Sequence, residues 1–182
     1  MKYKHVEFKF SQLFALIVFK TFLCWLPSSS TFLIGKTMRM LRYLCCRHIF
    51  LTCGKNVNIE RGAKFGSGFR LQIGDNSGIG INCSIPGNTI IGKNVMMGPN
   101  CYFLSANHAF DEVDTPMLKQ GHIEQSTTII EDDVWIGRQV ISTPGRLIKK
   151  GSIVAAGCVL TKDFPEYSIV GGNPSKLIRS RV

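Results

Sequence analysis

The chain has 182 residues, with 22 Lys and Arg against 12 Asp and Glu, which gives a net charge of +10. Its hydrophobic content of 45% and charged content of 19% exclude a disordered chain and a charged coiled coil. The 18 glycines show no Gly-X-Y period, which excludes collagen. No recognised binding motif accompanies the positive charge, so nucleic acid is not an expected partner.

Residues 1–50 form a basic and aromatic segment, with eight Lys or Arg, one acidic residue (Glu7) and ten aromatic residues. An apolar run from Phe10 to Leu26 is shorter than the ~20 residues that cross a bilayer comfortably. A signal peptide or anchor fits poorly, because Lys20 interrupts the run and no small-residue cleavage site follows. Two interpretations remain: a helix lying at the surface of an anionic membrane, or a helical cap packed on the body or on a neighbouring subunit.

Residues 51–182 repeat with a period of six, in which an aliphatic lead residue recurs and a small or β-branched residue follows four positions later. A step of six fits a short strand and a turn, three to a coil, in a parallel β-helix whose lead residues point inward. Two extra residues break the phase before Ile73. The lead positions are Ile59, Phe65, Ile73, Ile79, Ile85, Ile91, Met97, Ile130, Ile136, Ser142, Ile148, Val154 and Leu160.

The seven cysteines show no CxxC spacing, so a zinc site is not expected. Cys83, Cys101 and Cys158 fall on small inward positions of the repeat. They are predicted to be buried unpaired thiols, as in a reducing cytoplasm, rather than ligands or nucleophiles. Arg146 also falls on an inward position, and we expect it to turn outward, where it could meet a phosphate, because an unpaired buried charge is costly.

Two motifs carry a resemblance to a known family: DDVWIG at 132–137, and VAAGCVLTKDFPEYSIVGGNP at 154–174. Together with the repeat, they make residues 51–181 resemble the hexapeptide-repeat acyltransferases, and in particular the sugar, polysaccharide and xenobiotic O-acetyltransferases. The resemblance implies an all-β fold, a left-handed parallel β-helix preceded by the helical or amphipathic segment 1–50. It also implies a homotrimer with sites between subunits.

The repeat stops between Phe103 and Ile129, which predicts that residues 104–128 form a loop leaving the coil. Asn107-His108-Ala109-Phe110-Asp111 matches the Asn-His-x-x-Asp element of the family, which implies that His108 is the general base and that Asn107 or Asp111 orients it. A neutral imidazole can accept the proton of an attacking hydroxyl near neutral pH. His122 matches no such element and is predicted to be structural.

Residues 144–182 carry seven basic and two acidic residues, which favours an anionic ligand there. The resemblance implies that acetyl-CoA, as co-substrate, lies along the late coils, with further contacts from the tail 166–182. The donor contacts expected from the family motifs are Arg138, Ala156, Thr161, Lys162, Lys176 and Arg179.

The sequence therefore predicts an O-acetyltransferase that moves an acetyl group from acetyl-CoA to a hydroxyl of a sugar or polysaccharide precursor. We expect direct attack on the thioester, in a cytoplasmic protein with peripheral contact to the inner membrane face through residues 1–50. Serine or an antibiotic hydroxyl is an alternative acceptor, and a non-catalytic trimeric scaffold is an alternative class. A carbonic anhydrase of the γ type would need three histidines around one metal, and the body holds two, so no metal is expected.

Overall fold

The computed structural model describes residues 9–123 and 126–182. Two helices, separated by a short 3₁₀ turn at Leu23–Trp25, precede the strands: α1 spans Phe10–Thr21 and α2 spans Gly35–Ile49. A second 3₁₀ turn, Met117–Lys119, lies in the loop after β7. The strands of the described chain are β1 Thr52–Cys53, β2 Asn58–Ile59, β3 Gln72–Ile73, β4 Gly78–Ile79, β5 Ile90–Ile91, β6 Met96–Met97, β7 Tyr102–Phe103, β8 Ile129–Ile130, β9 Trp135–Ile136, β10 Ile141–Ser142, β11 Leu147–Ile148, β12 Ile153–Val154, β13 Val159–Leu160, β14 Ser168–Gly171 and β15 Lys176–Ser180.

The strands stack into three parallel faces of a β-helix, as the repeat predicts. The first face is β1-β3-β5-β8-β11; the second contains β2-β4 and β6-β9-β12-β14; and the third contains β7-β10-β13. Gln72 pairs with Ile90, and Ile129 pairs with Leu147, so one coil takes 18 residues, or three hexapeptides. Strand β15 closes the second face by pairing antiparallel with β14.

The lead residues of the hexapeptides fill the interior, because the second residue of each two-residue strand points inward. Ile59, Ile79, Ile130 and Ile136 are fully buried. Ser142 is buried as well, and its hydroxyl donates to the carbonyl of Thr143. The predicted core is thus confirmed along the β-helix, with Met97 only half-buried. Cys83, Cys101 and Cys158 are buried and unpaired, as the repeat predicts.

Asparagines turn the chain at the corners of the coils. Asn56, Asn76 and Asn94 have φ angles of 57°, 57° and 58°, a left-handed conformation that asparagine tolerates better than most residues. Their amides also stack: Asn56 Nδ2 donates to Asn76 Oδ1 at 3.0 Å, and Asn76 Nδ2 donates to Asn94 Oδ1 at 3.2 Å. The side-chain ladder ties each corner to the next coil.

The two helices pack on the first coils as a cap. Phe19 of α1 is buried against Phe65, with ring centroids 4.9 Å apart, and Phe50 meets the same ring edge-on at 4.9 Å. On α2, Tyr43 donates to the carbonyl of Gly54 at 3.0 Å. Within this chain, α2 therefore packs on the first coils, and α1 packs on α2 and on Phe65. In the described residues no helix combines the length and apolarity needed to cross a bilayer.

Arg42, a cation of the basic N-terminal segment, lies in the interior of the protein. Its side chain is fully buried, with Nη2 3.6 Å from the Glu60 carboxylate and Nε donating to the Ile59 carbonyl at 2.6 Å. Ser29 and Asn58 also donate to Glu60. Burial by itself raises the pKa of Glu60, but these hydrogen bonds and the Arg42 charge outweigh it and lower the pKa. This buried ion pair anchors α2 on the β-helix.

Candidate active site

The predicted loop leaves the β-helix at the end of β7 and returns at β8. The backbone N–H of Leu104 still donates to the Ser142 carbonyl at 2.9 Å, so the chain departs from the corner that follows the third face. Within the loop, Gln120 Nε2 donates to the carbonyls of Glu112, at 2.8 Å, and Thr115, at 2.6 Å. The loop thus has internal structure that the sequence did not indicate. Residues 124 and 125 lie outside the described part.

A short antiparallel pairing at the base of the loop brings its two histidines together. Residues His108 and His122 form the bridge, flanked by hydrogen bonds from Ala109 N to Gly121 O, at 3.1 Å, and from Ile123 N to Asn107 O, at 3.0 Å. The two imidazole rings lie 4.4 Å apart between centroids, tilted by 36°. Both side chains are exposed to solvent. His122 therefore belongs to the candidate site, a placement that its sequence context did not reveal.

The two other predicted members of this site lie on the same exposed segment. Asn107 contributes its backbone carbonyl to the base of the loop, as described above, and its side chain is exposed. Asp111 is exposed as well. Within residues 9–123 and 126–182, neither side chain forms a hydrogen bond with the His108 ring. The imidazole of His122 is the aromatic ring that lies against the His108 ring among the described residues.

Thr161 and Lys162 lie two coils further along the β-helix than the point where the loop leaves it. Thr143 N donates to the Leu160 carbonyl at 3.0 Å, so residues 104, 143 and 161 stack along one corner. With strands ~4.8 Å apart, Thr161 lies about 10 Å along the β-helix from the exit of the loop. Both Thr161 and Lys162 are exposed, and Lys162 Nζ lies 5.5 Å from the centre of the Phe164 ring. The Thr161 hydroxyl shares a hydrogen bond of 3.2 Å with the Ser175 hydroxyl, and the Lys162 ammonium is exposed on the same corner as the exit of the loop.

Arg138 and Ala156 lie at a different corner, between the second and third faces. Gly157 N donates to the Arg138 carbonyl at 2.9 Å, so the two positions stack in consecutive coils, and both are exposed. A Cβ atom at Gly137 would lie 2.5 Å from the backbone nitrogen of Ala156, so this corner admits no side chain there. The close stacking leaves backbone near the surface, where a ligand can approach it.

The remaining predicted cations are on or near the C-terminal hairpin. On β15, Lys176 pairs with Gly171 and Arg179 pairs with Ile169 of β14, and both side chains are exposed. Arg146 is half-buried, lies 3.5 Å from Asp163, and donates to the Thr161 carbonyl at 3.2 Å. The Asp163 carboxylate and the Thr161 carbonyl therefore hold the Arg146 guanidinium at the Thr161 corner. The residues predicted to contact acetyl-CoA therefore lie in three places: at the Arg138 corner, at the Thr161 corner and on the C-terminal hairpin.

No group of three or more His, Cys, Asp or Glu side chains that could hold a metal occurs in the described ranges.

A cleft of about 390 Å³ lies between α2 and the second face, lined by residues that include Arg39, Asn56, Asn58 and Met96. Its walls offer amide and guanidinium groups together with apolar surface.

Comparison with known proteins agrees with this architecture. Residues 70–104 match the model of the bacterial transferase hexapeptide family (six repeats), and residues 127–162 match that of the hexapeptide repeat of succinyl-transferase. The galactoside O-acetyltransferase of Escherichia coli is 31% identical over 135 residues, which cover 73% of this chain and 65% of that protein. The chain spans 58 to 67% of the length of three curated relatives that it matches.

Solved structures show the same relationship. A hexapeptide-repeat acetyltransferase from Vibrio cholerae superposes with a TM-score of 0.70 at 30% identity, covering 78% of this chain and 80% of that one. A galactoside acetyltransferase in complex with coenzyme A superposes with a TM-score of 0.73 at 25% identity, covering 96% and 84% of the two chains. The chain belongs to the hexapeptide-repeat acetyltransferase family.

Proposed function

We propose that the protein transfers an acetyl group from acetyl-CoA to a hydroxyl of a sugar or polysaccharide precursor. The observation that carries the proposal is His108, exposed on a loop that leaves the β-helix on the corner bearing Thr161 and Lys162. Family membership supports the chemistry, and the name of the E. coli relative, a galactoside O-acetyltransferase, supports the acceptor class.

In the proposed reaction, His108 accepts the proton of the acceptor hydroxyl while the hydroxyl oxygen attacks the thioester carbonyl carbon. A C–O bond forms, the C–S bond then breaks, and the leaving thiolate takes the proton from the His108 imidazolium. The products are an acetyl ester and coenzyme A. General-base assistance of this kind is typically worth ~10²–10⁴-fold, and positioning supplies most of the remainder.

His122 supports this role of His108 by packing against its ring. An offset or tilted aromatic pair is worth about 0.5–1.5 kcal/mol beyond buried area. The bridge between residues 108 and 122 fixes the backbone of both histidines, and the ring contact then limits the rotation of the His108 side chain. We infer that His122 is a positioning residue. Asn107 and Asp111 remain candidates for contacts that form when the acceptor binds.

Direct transfer is favoured over an acyl-cysteine intermediate. Cys83 and Cys158 are buried in the β-helix, and burial raises the pKa of the Cys158 thiol. A hydrogen bond with Cys101, together with burial, raises the pKa of Cys83. The thiolate is the nucleophilic form of cysteine, so the raised pKa makes Cys83 and Cys158 poor nucleophiles near neutral pH. The hydrogen bond with Cys83 lowers the pKa of Cys101, but Cys101 is buried in the β-helix, away from any acceptor hydroxyl. The three buried thiols fit a protein that works in a reducing cytoplasm.

For the donor, we propose that Thr161, Lys162, Lys176 and Arg179 meet the phosphate groups of coenzyme A, and that Arg138 and Ala156 contact the rest of it. The phosphates require cations and N–H donors, and these side chains are exposed rather than committed to ion pairs with described residues. The galactoside acetyltransferase that superposes on this chain was solved with coenzyme A.

A homotrimer with sites between subunits is supported by the separation of the two corners. Arg138 and Ala156 lie at one corner, and the His108 loop and Thr161 lie at another, so one donor molecule in a groove between two copies would meet both sets. Outward residues of the second and third faces are also apolar and exposed, as at Met96, Trp135, Tyr102 and Ile141. A head-to-tail contact between different faces closes into a ring of three when the rotation permits.

The test is release of free coenzyme A thiol from acetyl-CoA, measured with galactosides, glucosides, oligosaccharides, serine and chloramphenicol. We expect turnover that depends on a sugar acceptor, and three copies of the chain by light scattering. Turnover with serine or chloramphenicol instead would overturn the acceptor class. A chain that does not bind acetyl-CoA in calorimetry would be a scaffold, and the proposed activity would be wrong.

A further inference from the structure

The outer side of α1 is apolar, although the helix already buries its other side. Ala15, Leu16 and Phe19 are buried on the side that faces α2 and the first coils. On the opposite side, Phe10 is 86% exposed and Phe14 is 62% exposed. Leu13 and Ile17 are exposed beside them, at helical spacing. A surface helix of a globular protein normally places polar residues there, so this side of α1 is available for an apolar contact outside the chain.

The apolar surface continues past the end of the helix. Phe22 is exposed, and Trp25 is 68% exposed. The Trp25 indole donates from Nε1 to the Lys20 carbonyl at 3.2 Å, so its polar atom is satisfied while its ring faces solvent. We name this the α1 surface, formed by Phe10, Leu13, Phe14, Ile17, Phe22 and Trp25. Phenylalanine and tryptophan are the residues that amphipathic helices insert into membrane interfaces.

Positive charge borders the α1 surface. At 100° per residue, Lys9 and Lys20 fall on one flank of the helix, beside Leu13. Both are exposed, and neither is in an ion pair of the described residues. Residues 1–50 hold eight cations against one acidic residue, Glu7, so this segment carries a net positive charge. Lysine stems can lie along apolar surface with the ammonium directed to lipid phosphates.

We propose that the α1 surface docks the protein on an anionic lipid bilayer, with α1 lying in the interface. The apolar side chains of the α1 surface would enter the boundary between the lipid head groups and the acyl chains. Lys9 and Lys20 would contact the head-group phosphates. Antiparallel two-fold pairing of α1 with a second copy is disfavoured, because it would bring the two lysine flanks together. The proposal does not depend on the acetyl-transfer chemistry, and its test needs no substrate.

The experiment is co-sedimentation of the full chain with vesicles of phosphatidylcholine, or of phosphatidylcholine with phosphatidylglycerol. We expect binding to the anionic vesicles that weakens as salt is raised. The double variant Phe10→Ser/Phe14→Ser should weaken binding at least ~10-fold, and Lys20→Glu roughly fivefold. In a Trp135→Phe background, fluorescence from Trp25 should shift to shorter wavelength on binding.

The control is Leu118→Ser, because Leu118 is as exposed as Phe10, at 87%, but lies on the loop after β7. It should bind vesicles as the wild type does. The proposal is wrong if the wild type stays in the supernatant with both vesicles, or if both α1 variants sediment like the wild type. It is also wrong if the double variant leaves vesicle binding intact and changes the oligomeric state, since the surface would then lie between copies.

Discussion

In the β-helix each coil repeats the contacts of the coil before it, whereas the two N-terminal helices meet the first coils through contacts that occur once. A lead residue such as Ile91 is buried for the same reason as Ile73, one coil away. The cap depends instead on particular groups, above all the buried pair of Arg42 and Glu60. The comparison predicts that single substitutions affect the two regions in different ways.

The largest effect on stability is expected from Arg42→Ala. Breaking a buried ion pair typically costs about 3–5 kcal/mol, because the remaining charge is left uncompensated. Arg39→Ala, one turn earlier on the same helix, removes a half-buried side chain that donates to Asn56 and should cost about 1 kcal/mol or less. Urea unfolding followed by circular dichroism measures both. Equal costs would show that the pair does not anchor the cap.

A slightly smaller effect is expected in the coil, from Ile91→Ala. Removing a buried isoleucine costs about 2–5 kcal/mol. Its neighbour Ile90 lies in the same strand, points outward and is half-buried, so Ile90→Ala should cost less than half as much. This matched pair tests the inward and outward alternation directly. The same midpoint shift for both variants in denaturant would contradict it.

The account of His122 predicts a still smaller effect. Losing the ring contact in His122→Ala should lower kcat by roughly 2- to 10-fold, the rate equivalent of an aromatic pair. KM for acetyl-CoA should stay near the wild-type value, because His122 does not touch the donor in the proposal. His122→Phe keeps a ring at the same place and should restore most of kcat. If phenylalanine fails to rescue activity, His122 acts through its nitrogens.

The smallest expected effect is a loss of folding stability at acidic pH. The folded state lowers the pKa of Glu60 relative to the unfolded chain, so the unfolded chain binds the proton more readily. Glu60 therefore contributes its stability fully above about pH 5, and this contribution is lost as the pH falls through the lowered pKa. The melting temperature of the wild type should fall more between pH 6 and pH 3 than that of Glu60→Gln. Parallel curves would exclude this linkage.

The β-helix was predictable residue by residue because one physical rule, an inward residue every six, acts on each strand. The rule located the buried cysteines as well as the loop that interrupts it. Met97 departs from it, since it is only half-buried. Even the break of phase before Ile73 appears in the structure, where Thr52 pairs with Gln72, a step of 20 residues rather than 18.

The contacts that the sequence did not reveal are those between groups distant along the chain. The burial of Arg42 could not be predicted, because its partner Glu60 lies 18 residues later in the chain, just after β2. His122 looked structural because the pairing that brings it to His108 depends on the fold of the loop base. The presence of two histidines within one loop of the body was the available signal.

The central claim is that His108 is the base of an acetyl transfer, and the most direct test compares acetyl-CoA turnover in His108→Ala, His48→Ala and the wild type with a sugar acceptor. His48 is an exposed histidine of α2, which makes it the matched control. We predict that His108→Ala loses ~10²–10⁴-fold in turnover while binding coenzyme A as before, and that His48→Ala keeps wild-type turnover. Undiminished turnover in His108→Ala would contradict the assignment of the base.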